Sequence, residues 1–199
     1  MRSESIVFAV AGMFFGVILG WVLGSQSSNR EGDSAQHTAP QAAAAPQSHA
    51  PTLDEARVQQ LKAAIDADPK NAATHAQLGN TYFDAQRFAD AIVAYEQSLK
   101  INPNDPDVST DLGVSYYYTN RPDEALVQFD RSLAIDPRHT KTLLNKGIVL
   151  AFGKEDLRAA ADEWKKVVEL APNSPEGEAA RRALEGVAAA HARGSTTNQ

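Results

Sequence analysis

Hydrophobic positions change character twice along the chain. From Ile6 to Gly24 they run without interruption, and IVFAVAGMFFGVILGWVLG carries no charge. Over 25–51, SQSSNREGDSAQHTAPQAAAAPQSHAP, large apolar side chains almost vanish. Beyond residue 52 they return as amphipathic stretches at three- and four-residue intervals, which predicts an all-α domain. These stretches carry a longer period as well. Pro69, Pro103, Pro137 and Pro172 close the strings AIDADP, SLKINP, SLAIDP and VELAP at spacings of 34, 34 and 35 residues. A fixed period with two amphipathic stretches per unit predicts stacked helical hairpins, because no single unit can cover its own apolar face.

The uninterrupted run predicts a transmembrane helix over 6–24, behind a short tail of residues 1–5. At about 1.5 Å per residue it is about 28 Å long, near the ~30 Å hydrocarbon thickness of a bilayer. Its apolar core exceeds the roughly 7–15 residues of a signal peptide, and Arg2 is the only basic side chain before it, so an uncleaved anchor is expected. Gly12, Gly16, Gly20 and Gly24 stand four apart. On a helix they form one slowly turning stripe, which predicts close packing against another transmembrane helix. Arg2 and Arg30 nearly balance across the span, and the short tail places the N-terminus in the cytoplasm. The expected location is the bacterial inner membrane, with the helical domain in the periplasm. Residues 25–51 cannot bury enough surface to order themselves and predict a disordered tether with a reach of roughly 30 Å. His37 and His49 within it read as solubilising residues.

Three units share residue types at fixed positions. Unit 72–105 has Leu78-Gly79, Tyr82, Ala91, Tyr95 and Pro103, and unit 106–139 has Leu112-Gly113, Tyr116, Ala125, Phe129 and Pro137. Unit 140–174 has Gly147, Leu150, Ala160, Trp164 and Pro172, in register if one residue is inserted in GKEDLR between its helices. Lys146 stands there where the other units have leucine. In these residues the chain resembles the tetratricopeptide repeat. The small residues let paired helices approach while the aromatics fill the space between them. The resemblance implies an α-solenoid of three helical hairpins. A leading helix over 52–68 has a Thr52/Glu55 capping box and the apolar face Leu53, Val58, Leu61 and Ile65. A closing helix over 175–193, begun by Ser174 and Pro175, places Ala180, Leu184, Val187 and His191 on one side. About eight helices follow the linker.

Composition narrows the chemistry. The chain has no cysteine, which excludes disulfides, zinc-thiolate sites, a cysteine nucleophile and a lipoprotein anchor. A net charge of −6 argues against nucleic acid as a partner. His75, His139 and His191 fall in different units, and H-E-x-x-H, phosphate-loop and G-x-S-x-G motifs are missing. NPNDPD at 102–107 lacks EF-hand ligand spacing and reads as a turn. No catalytic activity, cofactor, metal or small-molecule substrate is expected.

The resemblance assigns a concave groove to the first helix of each unit. On this chain it implies Asn80, Phe83 and Asp84, then Asp107, Asp111, Val114, Tyr117 and Tyr118, then Lys141, Leu144, Asn145, Ile148 and Phe152. Tyr116 is expected in the core, with Tyr117 and Tyr118 projecting into the groove. This acidic and aromatic inventory predicts a protein partner whose peptide or helix is basic or apolar. Tetratricopeptide domains that clamp a terminal carboxylate use Lys and Asn, then Asn, then Lys and Arg. Asn80 and Lys141 match that set, while Ala76, Asp111 and Asn145 do not. The expected function is a membrane-tethered scaffold or assembly factor, similar in layout to membrane-anchored factors for c-type cytochromes. The alternative is a structural accessory subunit of a membrane complex, held by the glycine stripe.

Overall fold

The computed structural model describes residues 52–196. The run 6–24 with Gly12, Gly16, Gly20 and Gly24, and the linker 25–51, lie outside the described residues. Eight α-helices occupy the described part: α1 (Glu55–Ala67), α2 (Ala72–Asp84), α3 (Phe88–Ile101), α4 (Pro106–Tyr118), α5 (Pro122–Ile135), α6 (Thr140–Gly153), α7 (Leu157–Leu170) and α8 (Pro175–Thr196). Among the described residues there is no strand, and no helix is long and apolar enough to cross a membrane. Helices α2/α3, α4/α5 and α6/α7 pair as three hairpins, with α1 before them and α8 after.

Local chemistry starts these helices where the polar turns lie. The backbone N–H groups of Thr74, Val108 and Ala159 donate to the side chains of Asn71, Asp105 and Asp156 at 3.2, 3.0 and 2.9 Å. Each cap satisfies an otherwise orphaned first-turn donor. Gly177 N–H donates to Ser174 Oγ at 3.1 Å, which opens α8 as expected. The start of α1 corrects the Thr52/Glu55 capping box. Asp54 is the cap, accepting from Arg57 N–H at 2.9 Å, and Glu55 is the first helical residue. A carboxylate one position before the helix outcompetes a hydroxyl three residues before it.

The bends inside the hairpins recur as well. Gln86, Asn120 and Glu155 hold φ of 58°, 60° and 58°. Asparagine tolerates this left-handed region, but glutamine and glutamate meet Cβ crowding there. Gln86→Gly and Glu155→Gly are each expected to stabilise the domain by about 0.5–1 kcal/mol, read as a higher melting temperature. The inserted residue of the third hairpin does not lengthen its turn. It is absorbed at the end of α6, which has 14 residues against 13 in α4, and Lys154 N–H reaches back to Val149 O at 3.0 Å.

Helix pairing rests on the contact of glycine with an aromatic ring. A Cβ on Gly113 would lie 2.5 Å from Phe129 Cε1, and on Gly79 or Gly147 it would overlap Tyr95 or Trp164. Tyr95, Phe129 and Trp164 are 1%, 0% and 2% exposed, and each such burial is worth about 1.5–3 kcal/mol. The interior falls into three apolar clusters. Val58, Leu61, Leu78 and Ala94 join α1 to the first hairpin. Ile92, Tyr95, Leu112, Tyr116 and Phe129 join the first two hairpins. Leu143, Ala160, Trp164, Val167 and Ala180 join the third to α8.

Polar ties fix the register of each pair. Ser98 Oγ donates to Ala72 O and Ser132 Oγ to Pro106 O, both at 2.9 Å, so in the first two repeats a serine binds the second helix to the start of the first, while the third has Val167 there. Lys146 is accommodated by charge. Its Nζ lies 2.8 Å from Asp130 and 3.3 Å from the buried Glu163, which also holds Lys166 at 2.8 Å. Burial alone would lower the Lys146 pKa, but the two carboxylates outweigh it and raise it.

Candidate functional site

Among the described residues, α4 touches α6 and α6 touches α8, whereas no comparable contact joins α2 to α4, α3 to α5 or α5 to α7. From α4 to α8 the closer spacing on the first-helix side makes that side the inside of the curve. The thirteen predicted groove residues lie on α2, α4 and α6. Residues three or four apart share a helix face, which aligns Asn80 with Asp84, Asp107 with Asp111 and Val114, and Lys141 with Leu144, Asn145 and Ile148.

An ion pair crosses the middle of this face. Lys141 Nζ lies 2.7 Å from Asp111 Oδ1, with the lysine side chain 45% exposed and the aspartate 20%. Burial raises the Asp111 pKa above the ordinary carboxylate range, and Lys141 offsets this only in part. The sign follows by linkage. Because the folded state holds this proton more tightly than the unfolded chain, ionised Asp111 costs stability, and the cost disappears as pH falls through the raised pKa. Asp111→Asn is therefore expected to raise the melting temperature at neutral pH. The gain over the parent should shrink on acidification, the reverse of an ordinary salt-bridged carboxylate, and melts recorded against pH check it.

Below this pair, the Tyr95 hydroxyl donates to Asn80 Oδ1 at 2.8 Å. Burial, then the charges of Asp111 and Asp84, drive the Tyr95 pKa far up, so the phenol remains a neutral donor. At the far ends of the first helices Phe88 meets Phe83 edge-on at 5.3 Å and stacks on Tyr118 at 4.3 Å. The structure redistributes the three tyrosines. Tyr116 is buried as expected, its hydroxyl donating to Glu96 at 2.5 Å and Arg121 lying 4.4 Å over its ring. Burial, and secondly the hydrogen bond to Glu96, push its pKa up to about 12. Tyr117 is half-buried against the second hairpin's core, while Tyr118 keeps 43% exposure beside Phe88. Leu144 and Ile148 lean into the cluster shared with α8, and Asn145 Nδ2 donates to Lys141 O at 2.8 Å. Phe152 is exposed on the same helix.

A polar chain that the sequence did not announce begins at Asp107. Its Oδ1 lies 3.2 Å from His139 Nε2, and His139 Nδ1 lies 2.5 Å from Thr142 Oγ1. Thr142 contacts Thr110 at 2.6 Å and Ser132 at 2.8 Å, and Thr110 and Ser132 also donate to Pro106 O. The order acid, imidazole, hydroxyl is that of a nucleophilic triad. Thr142 is 0% exposed, however, and its hydroxyl is shared among three helices, so no substrate carbonyl reaches it. The chain is a structural tie between α4, α5 and α6.

Comparisons with known proteins agree with this geometry. Residues 79–120 match the family described as TPR repeat, and residues 110–175 the family described as tetratricopeptide repeat. The first TPR domain of Spaghetti (RPAP3), solved bound to the HSP90 peptide SRMEEVD, is similar with a TM-score of 0.56 at 24% identity, covering 63% of this chain and 96% of that one. MamA is similar with a TM-score of 0.56 at 16% identity, over 70% of this chain and 89% of that one. The Arabidopsis OM64 TPR domain gives 0.54 at 16%, over 58% and 93%. No curated relative matches the chain.

Proposed function

We propose, from the premise that residues 79–175 belong to the tetratricopeptide repeat family, that this chain is a membrane-tethered scaffold or assembly factor whose groove holds a peptide segment of a partner protein. Tetratricopeptide domains are protein-interaction modules, and a domain of this fold binds a peptide. The observation that carries the reading is the row Asn80, Asp84, Asp111, Val114, Lys141 and Ile148 on the inner side. These side chains are partly exposed along three first helices, and one of them, Asp111, is a mostly buried carboxylate paired with Lys141 at 2.7 Å.

The partner segment is basic or apolar. An acidic peptide such as the one bound by the RPAP3 domain would meet Asp84, Asp107 and Asp111, with the single groove lysine already on Asp111. The tether is the apolar run 6–24 in the bacterial inner membrane, with the repeats in the periplasm, and tethering raises the effective concentration of a captured partner at the membrane. Native-membrane purification of the full chain tests both parts. Asp111→Lys with Tyr118→Ala is expected to release the bound partner, and Gly16→Leu with Gly20→Leu to leave it in place. Retention of every partner by the groove variant overturns groove binding. Digestion of the repeats in intact spheroplasts is the expected result for sidedness, and digestion only after lysis reverses it.

A further inference from the structure

With the groove taken as the binding face proposed above, we propose that Lys141 is a stand-in for the partner. The groove accepts a segment whose arginine displaces Lys141 from Asp111 while neighbouring aliphatic side chains lie along Val114 and Ile148. The ion pair is lopsided, since Lys141 is 45% exposed and Asp111 20%. The lysine side chain is the more exposed and more flexible partner and can swing away, whereas the carboxylate on its short stem cannot follow it out. Lys141 also reaches Asp111 by one oxygen, Oδ1, at 2.7 Å. A guanidinium presents two parallel donors and takes both oxygens of a carboxylate, and it sheds water more readily than an ammonium.

The surroundings favour the same exchange. Asp84, one turn after Asn80 on α2, adds negative charge to the first-helix side. Asp107, one turn before Asp111 on α4, is 70% exposed, with its Oδ1 3.2 Å from His139 Nε2. On the other side aliphatic positions follow within about one turn on α4 and about two on α6. Val114 follows Asp111 by three residues, and Ile148 follows Lys141 by seven, so both lie on the same helix faces as the ion pair. A basic residue beside aliphatic ones fits this surface, and an acidic residue there meets repulsion that Lys141 can relieve only by leaving Asp111 unpaired.

Calorimetry on the full chain in lipid nanodiscs, with the acetylated and amidated peptide Ala-Leu-Arg-Leu-Leu-Ala and its Gln and Glu counterparts, tests the displacement. The Arg peptide is expected to bind tightest and the Glu peptide weakest. Lys141→Met, which keeps the aliphatic stem, is expected to tighten the Arg peptide by about tenfold, the size of one removed charged competitor. Asp111→Asn removes the preference for Arg over Gln, and in the double variant Lys141→Met brings no gain. Lys141→Gln serves as the second variant if Lys141→Met melts below the parent. An unchanged or weaker affinity for the Arg peptide in a variant that melts with the parent overturns the displacement while leaving groove binding intact. Failure of all three peptides to bind overturns both.

Discussion

Trp164→Ala is expected to destabilise the repeat domain by about 3–5 kcal/mol, the cost of emptying a large aromatic site that cannot collapse. The indole is 2% exposed and lies among Leu143, Ala151, Ala160, Val167 and Ala180, drawn from α6, α7 and α8. Its Nε1–H donates to Leu144 O at 3.2 Å, so removal also strips a partner from a backbone carbonyl inside the hairpin. Repeat units hold to their neighbours rather than to one global core, and the loss should therefore fall on the C-terminal part of the stack. Amide exchange is the check: α6, α7 and α8 are expected to lose protection first, with α1 to α3 retaining most of theirs. A uniform loss across all eight helices would mean that the domain melts as one block.

Gly113→Ala is the second large effect, and its sign is set by geometry against propensity. Alanine is the better helix former by about 1 kcal/mol. Its methyl group, however, would lie 2.5 Å from Phe129 Cε1 and 3.1 Å from Ala125 O, beside a ring that is 0% exposed. Overpacking a rigid core costs about 1–3 kcal/mol and occasionally more. With the contact this short the clash wins, for an expected net loss of about 2 kcal/mol. Phe129→Leu in the same chain frees the space and should restore part of the stability, measured by urea or thermal unfolding. The contrast is Gly153→Ala, where the nearest atom is Pro122 Cβ at 3.0 Å and the loss should be smaller.

These pairs were legible in the sequence because a repeat forces the same contact to recur at a fixed spacing. Gly79 with Tyr95, Gly113 with Phe129 and Gly147 with Trp164 each lie 16 or 17 residues apart in their units. Ser98 and Ser132 open the strings SLKINP and SLAIDP, and the same periodicity carried them, but a serine gives no sign of which carbonyl it will bind. Gly177 was not legible at all. Its reason is the backbone carbonyl of Ala171, which the preceding turn folds against it, and no side-chain pattern marks that approach. Lys146 looked out of place because its partners Asp130 and Glu163 come from two other helices.

The groove divides in the same way. Its acidic and aromatic inventory is what the resemblance to the repeat implies for positions along the first helices. The pairing of Asp111 with Lys141 spans 30 residues and exists only once α4 and α6 are neighbours. The Asp107, His139 and Thr142 chain likewise needs α4 and α6 side by side. Tyr117 and Tyr118 differ because neighbouring residues on a helix point about 100° apart. One turns towards the core, and the other turns towards Phe88 on the preceding hairpin.

Photo-crosslinking in native membranes tests most directly whether the inner side of the stack is where a partner lies. A photoreactive residue is placed at Val114 or Asn145 on the first helices, and at Val93 or Val127, which are 60% and 62% exposed on the second helices. Attachment of one partner segment at 114 and 145, with none at 93 and 127, is the predicted result. Attachment at 93 and 127 with none at 114 and 145 would contradict it.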